Sequence, residues 1–322
     1  MDKFKWAYIG SGNIAKSTAH NIIKGNHEIS AVYSRNYEKA KSFAEKYNAH
    51  VFTDFESLLK SDIYDCIYIA TPHNSHIKYA IKSLNAGKAV LCEKPVGVNS
   101  LEVSKMIDAA KENEVYLCEA MWTWFSDMAR GVKRWIDDGK IGQIKHVHIS
   151  YSFPGLMMSK NSRVLTPETA GGALLDIGIY PVTYCYNLFG FPKDIKCEGT
   201  IQNGIDIGEK VVLSYDEFDC VLEMSLSTLK ESCKITGEKG EIDIPVFHMA
   251  RYAKLKGKQG KEVLKGKTDY LTEFTLVSEE IKAGKKESEY IPFDSTLNCM
   301  KILDECRKQM NLVYPFEKDE EN

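Results

Sequence analysis

Three groups of residues in this chain have types and spacings that can do chemistry. The loop Gly10-Ser11-Gly12-Asn13-Ile14-Ala15 shows the Gly-x-Gly-x-x-Ala spacing of a phosphate cradle. Gly10 permits a tight turn, Gly12 lets the main chain approach a pyrophosphate, and Ala15 allows close packing of helix on strand; the helix start at Asn13 and Ile14 faces the phosphates. Two polar segments follow, Ala70-Thr71-Pro72-His73-Asn74-Ser75-His76 and Cys92-Glu93-Lys94-Pro95. An ammonium such as that of Lys94 is rarely buried unless it is paired or used, so Lys94 is a candidate catalytic group. Asn74 and Ser75 also suit helix N-caps, and His76 a first helical turn. The third group is Gly171-Gly172-Ala173-Leu174-Leu175-Asp176-Ile177-Gly178-Ile179-Tyr180-Pro181, where Asp176 and Tyr180 stand four apart on one helix face. A carbonyl reductase needs a proton donor for the oxygen that gains charge as hydride arrives. A tyrosine beside a lysine ammonium can supply it, because the cation lowers the phenol pKa. The plain alternative is a capped, buried helix carrying a core tyrosine.

The choice of dinucleotide is read at Tyr33-Ser34-Arg35-Asn36. An acidic residue at this point would take the ribose hydroxyls of NAD(H), but no carboxylate occurs before Glu38. Arg35 can lie against the adenine and pair with a 2′-phosphate, Ser34 can donate to it, and Lys39 adds charge. NADP(H) is therefore the preferred cofactor, with NAD(H) still compatible. Thr71, Pro72, Asn74, His76, Glu93, Lys94 and Trp122 complete the candidate cofactor contacts. Trp122, Phe125 and Phe153 are candidate substrate walls beside Asp176 and Tyr180.

These groups need elements to hold them. Up to about residue 120, short β-branched runs alternate with segments of helical spacing, the βαβ rhythm of a parallel sheet. Strands are expected at 4–9, 29–33, 50–52, 66–70, 89–92 and 115–118, and helices at 14–24, 38–47, 75–86 and 101–112. Beyond residue 122 the rhythm changes. A helix at 129–137 leads to alternating strands at 144–153, 194–202, 210–215, 220–227, 233–236 and 240–244, interrupted by a helix at 174–188. Alternation without intervening helices predicts a mostly antiparallel sheet with one face free for a partner. The lysine- and glycine-rich stretch 254–267 reads as a solvated hairpin or loop, a last helix as 295–310, and the acidic tail 317–322 as disordered.

A length of 322 residues exceeds what one core usually fills. Two domains are expected: 1–122, a doubly wound Rossmann domain of α/β class, and 123–322, a substrate-binding and oligomerisation α/β domain on an open, mostly antiparallel sheet. The net charge of −3 comes with scattered lysines, which excludes the basic stripe of a nucleic-acid binder. No apolar run reaches the ~18 residues of a membrane span. The nine cysteines form an odd set without a CxxC pair, so they are expected reduced and mostly buried, with neither a disulfide framework nor a metal site. Met1 to Trp6 run straight into a strand without the pattern of a signal peptide, and a cytoplasmic location is the expectation.

Taken in order, Gly10-x-Gly12-x-x-Ala15, Glu93-Lys94-Pro95, Glu119-Ala120-Met121-Trp122 and Gly171-Gly172-x-x-x-Asp176-x-Gly178-x-Tyr180-Pro181 resemble the glucose–fructose oxidoreductase / inositol dehydrogenase / MocA (Gfo/Idh/MocA) family over nearly the whole chain. Within it they are most similar to the branch of dimeric dihydrodiol dehydrogenases and NADP-dependent xylose dehydrogenases, which has a tyrosine at the position of Tyr180 where inositol dehydrogenase-like members usually have a histidine. The resemblance implies a nicotinamide held between the two domains, Lys94 and Tyr180 as catalytic pair, and Asp176 near the substrate hydroxyls. It also implies a small carbohydrate-like substrate (a sugar, polyol or cyclic diol) and a homodimer formed through the C-terminal sheet. The chain departs from the branch's Trp-x-Arg-Phe-x-Pro: Trp124 stands for the arginine and Asp127 for the proline. Trp124 then either stacks on nicotinamide or substrate, or packs. Two rival readings are a dinucleotide-binding sensor without chemistry and a glycosidase using tightly held NAD. A sensor has no need of Lys94, Asp176 and Tyr180, and the Ser34-Arg35 ending favours exchangeable NADP over the second.

Overall fold

A computed structural model describes residues 2–258 and 260–317. The chain divides into two compact units. The first comprises 1–97, 101–122 and 269–296, the second 98–100, 123–268 and 297–322. The first unit thus takes back 269–296, a segment that the change of rhythm at residue 122 assigns to the second domain.

The first unit is built on six parallel strands: β1 (Phe4–Ile9), β2 (His27–Tyr33), β3 (His50–Phe52), β4 (Cys66–Ile69), β5 (Val90–Glu93) and β6 (Leu117–Ala120), in the order β3-β2-β1-β4-β5-β6. All residues of β4, β5 and β6 are buried, as expected for strands covered on both faces. The crossovers are α1 (Asn13–Ile22), α2 (Tyr37–Ala44), α3 (Phe55–Leu59), α4 (His76–Asn85) and α5 (Ser100–Glu112). The order reverses between β1 and β4, the switch point at which doubly wound sheets open a crevice at their carboxyl ends.

The second unit begins with α6 (Asp127–Asp137), whose start is capped by the Ser126 hydroxyl accepting from Ala129 N. Asp127 in its first turn pairs with Arg130 at 2.5 Å. The carboxylate thus suits the positive end of the helix, a local reason for an acid where the related branch has proline. An eight-stranded sheet follows: β7 (Ile144–Ser152), then, after α7 (Ile179–Phe189), β8 (Asp194–Gln202), β9 (Ile205–Ser214), β10 (Asp219–Ser225), β11 (Lys230–Gly237), β12 (Gly240–Ile244), β13 (Tyr252–Gly257) and β14 (Gly260–Lys265). The order is β14-β13-β12-β11-β7-β10-β9-β8, antiparallel except that β10 runs parallel to β7. The buried face carries Val147, Ile149, Leu213, Cys220, Leu222, Cys233 and Ile235, each worth about 1.5 to 3 kcal/mol where large and apolar. The other face is polar, with His148, Ser150 and Lys230 each bonded to Glu223. The lysine-rich stretch is the β13–β14 hairpin, whose exposed, charged edge strand discourages further strand addition.

Two late helices are α8 (Tyr270–Lys282) and α9 (Phe293–Gln309). The sequence reading lacks α8 altogether. It belongs to the first unit, where the Phe274 ring lies 4.6 Å from Trp6 and 5.0 Å from Tyr68 and so closes that core. Every cysteine is buried and none is in a disulfide. Among the described residues no helix is long and apolar enough to cross a membrane. Of the acidic tail expected to be disordered, 317–322, residues 318–322 lie outside the described set, and Glu317 is placed and pairs with Arg307.

Candidate active site

In the first unit the site is the β1–α1 loop. Gly10 has φ +101°, and a Cβ there would stand 2.6 Å from the Ala70 carbonyl oxygen, so the turn at the switch point admits only glycine. A Cβ on Gly12 would meet nothing within 4 Å: its free side faces open space, as a backbone meant to approach a ligand requires. Gly12 also caps α1 with no side-chain hydrogen bond and no acidic residue in the first turn. The N–H groups of that end therefore remain available to an anion, with the helix dipole favouring negative charge. The loop opens on a cavity of about 820 Å³, the size of a dinucleotide-scale pocket.

Gly10, Gly12, Asn13, Ser34, Arg35, Lys39, Thr71 and Pro72 all line this cavity, as the sequence led one to expect. Ile14, Asn74, His76, Glu93, Lys94 and Trp122 do not. Lys16 and Lys46, which the sequence reading omitted, do line it, and with Arg35 and Lys39 they set four cations against Glu38. Lys39 and Ser42 lie on α2, and Lys46 in the turn just past its end at Ala44.

The residues outside the cavity hold the neighbouring loops. His76 is fully buried, and its ring nitrogens lie 3.0 Å from the Pro95 carbonyl and 2.9 Å from the Thr71 carbonyl. It ties the loop after β4 to the loop after β5 rather than turning a nitrogen to a ligand. Ser75 occupies the N-cap position of α4, but its hydroxyl bonds Thr71 Oγ1 and the Pro72 carbonyl instead of capping. The Lys94–Pro95 peptide is cis, and Lys94 is 8% exposed. Around it lie buried carboxylates. Glu93 accepts from the Tyr68 hydroxyl, and Glu119 Oε1 accepts from Val96 N at 3.1 Å. Burial pushes Glu119 up to about 7, although the Val96 N–H, the Thr296 hydroxyl and the Lys94 charge pull the other way. Glu273 on α8 is driven well above the usual carboxylate range by burial and by the charges of Glu93 and Glu119. Trp122 is buried with its ring 4.7 Å from that of Tyr270.

In the second unit, Asp176 sits in a π-helical turn, Leu174–Gly178, that runs directly into α7 carrying Tyr180. Such turns occur mostly as single irregularities at functional positions. The glycine pair before it has a steric cause. A Cβ on Gly171 would come within 2.6 Å of the Arg163 and Val164 carbonyl oxygens. Gly172, at φ +124°, would put one 2.1 Å from Asp206 Oδ1. Asp206 is there because its Oδ2 accepts from Leu174 N at 2.5 Å, holding the first residue of the π turn. Burial raises the Asp206 pKa while the main-chain donors lower it; its neighbour Glu209 is pushed well above the usual range by burial and by the Asp206 charge.

Asp176 is paired with Arg163 at 2.8 Å. Tyr180 is 7% exposed, and its ring lies 5.7 Å from Tyr151 on β7 and 5.9 Å from His248. Arg163, Tyr151, His248 and Asp206 are absent from the sequence reading, since no local periodicity links them to Asp176 or Tyr180. Phe153 is half-buried at the end of β7. Phe125, expected as a substrate wall, has no exposed surface; it packs in the interior, where an aromatic ring gains most from burial. Trp124 is likewise a packing residue, edge-on to Tyr184 at 5.7 Å.

A switch-point loop with an open, cation-lined cavity, followed by a glycine-gated helix bearing Asp and Tyr, defines a dinucleotide-dependent oxidoreductase architecture. The chain belongs to the Gfo/Idh/MocA oxidoreductase family: the model of its NAD-binding Rossmann fold matches residues 4–120, and that of a GFO/IDH/MocA C-terminal domain matches 129–243. It is 37% identical to scyllo-inositol 2-dehydrogenase (NADP(+)) of Bacillus subtilis, over 90% of this chain and 92% of the relative. Mouse trans-1,2-dihydrobenzene-1,2-diol dehydrogenase is 31% identical over 98% and 99% of the two chains. Among solved structures, aldose-aldose oxidoreductase of Caulobacter crescentus shares the fold with a TM-score of 0.86 at 19% identity, covering 96% of this chain and 98% of that one.

Proposed function

We propose that this protein is an NADP(H)-dependent dehydrogenase or reductase acting on a CH–OH or carbonyl carbon of a sugar, polyol or cyclic diol. The observation that carries the reading is the open cradle at Gly12 giving onto the cavity with Lys16, Arg35, Lys39 and Lys46. The main-chain N–H groups of the α1 start suit a pyrophosphate, and the Arg35–Lys39–Lys46 side suits a further phosphate, since Ser34-Arg35-Asn36 at the end of β2 offers no carboxylate for ribose hydroxyls. The two relatives named above, one NADP(+)-dependent and acting on an inositol, the other acting on a cyclic diol, support the substrate class.

When bound, the nicotinamide gives hydride to the substrate carbon or takes it. The chain supplies the proton and the placement. Tyr180 protonates the substrate oxygen in reduction and removes its proton in oxidation, Lys94 stabilises charge on that oxygen, and Asp176, held in place by Arg163, accepts from a neighbouring hydroxyl. A cytoplasmic location and a homodimer formed through the eight-stranded sheet belong to the same proposal, and sedimentation of the purified protein tests the latter.

The function is tested by fluorescence titration with NADPH and NADH, then by following nicotinamide absorbance with scyllo-inositol, aldoses and cyclic diols for the wild type and Tyr180→Phe. Tighter NADPH binding, and turnover that falls by about 100-fold or more in the variant, is the expected result. Binding without turnover on any compound would favour the sensor, and absence of dinucleotide binding would sink the reading.

A further inference from the structure

The turn that carries Asp176 is also held by the far end of the chain. Tyr314 is fully buried, and its hydroxyl donates to the Gly171 carbonyl at 3.0 Å. The tyrosine is itself tied down. Its main-chain N–H donates to Glu317 Oε2 at 2.9 Å, the same oxygen pairs with Arg307 at the end of α9, and the Arg307 guanidinium lies 4.6 Å from the Tyr314 ring centroid. Arg307 is buried as well: its Nη1 donates to the Val98 carbonyl at 2.9 Å, and its own carbonyl accepts from Leu312 N at 2.9 Å. Val98, Gly171, Arg307, Tyr314 and Glu317 all belong to the second unit. Packing alone explains this arrangement poorly, because a buried arginine–carboxylate pair stabilises a fold no better than apolar residues of the same size. What the polar groups add is direction, a phenol aimed at one carbonyl. That carbonyl belongs to the first glycine of the motif, five residues before Asp176.

We infer that Tyr314 is a positioning residue for Asp176, aimed by the clasp that runs from Arg307 to Glu317, an assignment that rests on the dehydrogenase reading. Gly171 leads into the π-helical turn Leu174–Gly178, which holds Asp176 and runs on into α7 with Tyr180. The approach to that turn is fixed at the Gly171 carbonyl by Tyr314 and at Leu174 N by Asp206. One side chain comes from the sheet and the other from the C-terminal segment, so the turn has an anchor that its own sequence does not supply. Loss of the phenol hydroxyl takes a buried donor from Gly171 and lets the Asp176 carboxylate drift from the substrate hydroxyl it orients. Reaction geometry tolerates little drift: about 1 Å can lower a rate by on the order of 100-fold. The cavity at the β1–α1 loop is lined by first-unit residues alone, so the clasp acts on substrate handling and not on the grip of the dinucleotide phosphates.

The test uses the full-length protein with NADP⁺ and either scyllo-inositol or a cyclic diol. Tyr314→Phe keeps the ring against the Arg307 guanidinium and removes only the hydroxyl. The expected result is a kcat/KM lower by about tenfold or more, with NADPH affinity within about twofold. A double-variant cycle then decides whether the loss runs through Asp176. In an Asp176→Ala background Tyr314→Phe should lower kcat/KM by less than about threefold, because the group it aims is already gone. Equal losses in the two backgrounds, or an unchanged kcat/KM in Tyr314→Phe with an active wild type, would overturn the assignment alone. Should Tyr314→Phe not fold, Glu317→Gln, which loosens the clasp from a partly exposed position, is read in the same cycle with the same outcomes. Should the wild type turn over neither compound, the dehydrogenase reading fails separately. Hydrogen exchange of the amides of 172–178 still decides the clasp: exchange about tenfold faster in Tyr314→Phe than in the wild type supports it, and equal exchange refutes it.

Discussion

Glu119→Gln is a quantitative test of the buried carboxylates beside Lys94. Glu119 is fully enclosed, and burial moves its carboxyl from the ordinary 4.5 to about 7. Below pH 4.5 it is protonated in the folded and unfolded chains alike. Between pH 4.5 and 7 the unfolded chain loses the proton while the folded one keeps it, so unfolding gains ground at up to about 1.4 kcal/mol per pH unit. Above pH 7 the penalty is constant, at about 3 kcal/mol over the whole interval. Glutamine copies the protonated acid: it can still accept from Val96 N and bond Thr296. The difference in stability between Glu119→Gln and wild type should therefore be smallest at pH 4.5 and rise in favour of the variant by about 3 kcal/mol by pH 8. For a unit of this size that is roughly 6 to 12 °C in Tm. The assay is thermal or urea unfolding of both proteins at half-unit pH steps. A difference flat to within about 1 kcal/mol from pH 5 to 8 would refute the reasoning, and would mean that Lys94 and the main-chain donors hold Glu119 ionised throughout.

Two further expectations concern the two units in turn. Arg35→Ala removes a cation from the phosphate side of the cavity, so NADPH affinity in a fluorescence titration should fall about 10- to 100-fold while NADH affinity changes by less than about threefold; equal losses would place Arg35 on the adenine alone. Gly172→Ala forces a Cβ into a glycine-only backbone region and against Asp206, costing about 3 to 5 kcal/mol and loosening the turn that carries Asp176. Calorimetry should show a fall of roughly 10 °C with NADPH affinity retained.

Much of the first unit is legible because its signals are local. The Gly-x-Gly-x-x-Ala loop, the apolar runs of β4 and β5, and the absence of an acid after Tyr33 lie within short windows, and the cavity gathers most of the residues so marked. Helix α8 is not legible for a definite reason. Tyr270, Thr272, Phe274, Thr275 and Val277 are β-formers whose composition masks a helical spacing, and the cap is Asp269 accepting from Thr272 N at 2.8 Å. The Gly171-Gly172 pair is visible as a motif, but its cause, the Asp206 carboxylate, lies on a strand more than thirty residues later. Tyr314 is likewise joined to Gly171 only by the hydrogen bonding of the folded chain. The aromatic cluster shows the opposite case: Trp122 and Phe125 beside a motif invite a pocket reading, whereas both rings are buried, and of its two alternatives Trp124 takes packing.

The return of 269–296 to the first unit has a consequence for biosynthesis. Trp6 and Tyr68 are made early, yet Phe274, which covers both, leaves the ribosome only after the entire eight-stranded sheet has been translated. At roughly 5 to 20 residues per second the nascent nucleotide-binding sheet waits on the order of ten seconds or more with this apolar seam uncovered. During that interval it is a natural client for a chaperone. A message truncated anywhere before α8 would yield a chain unable to finish either its oldest core or its cofactor platform.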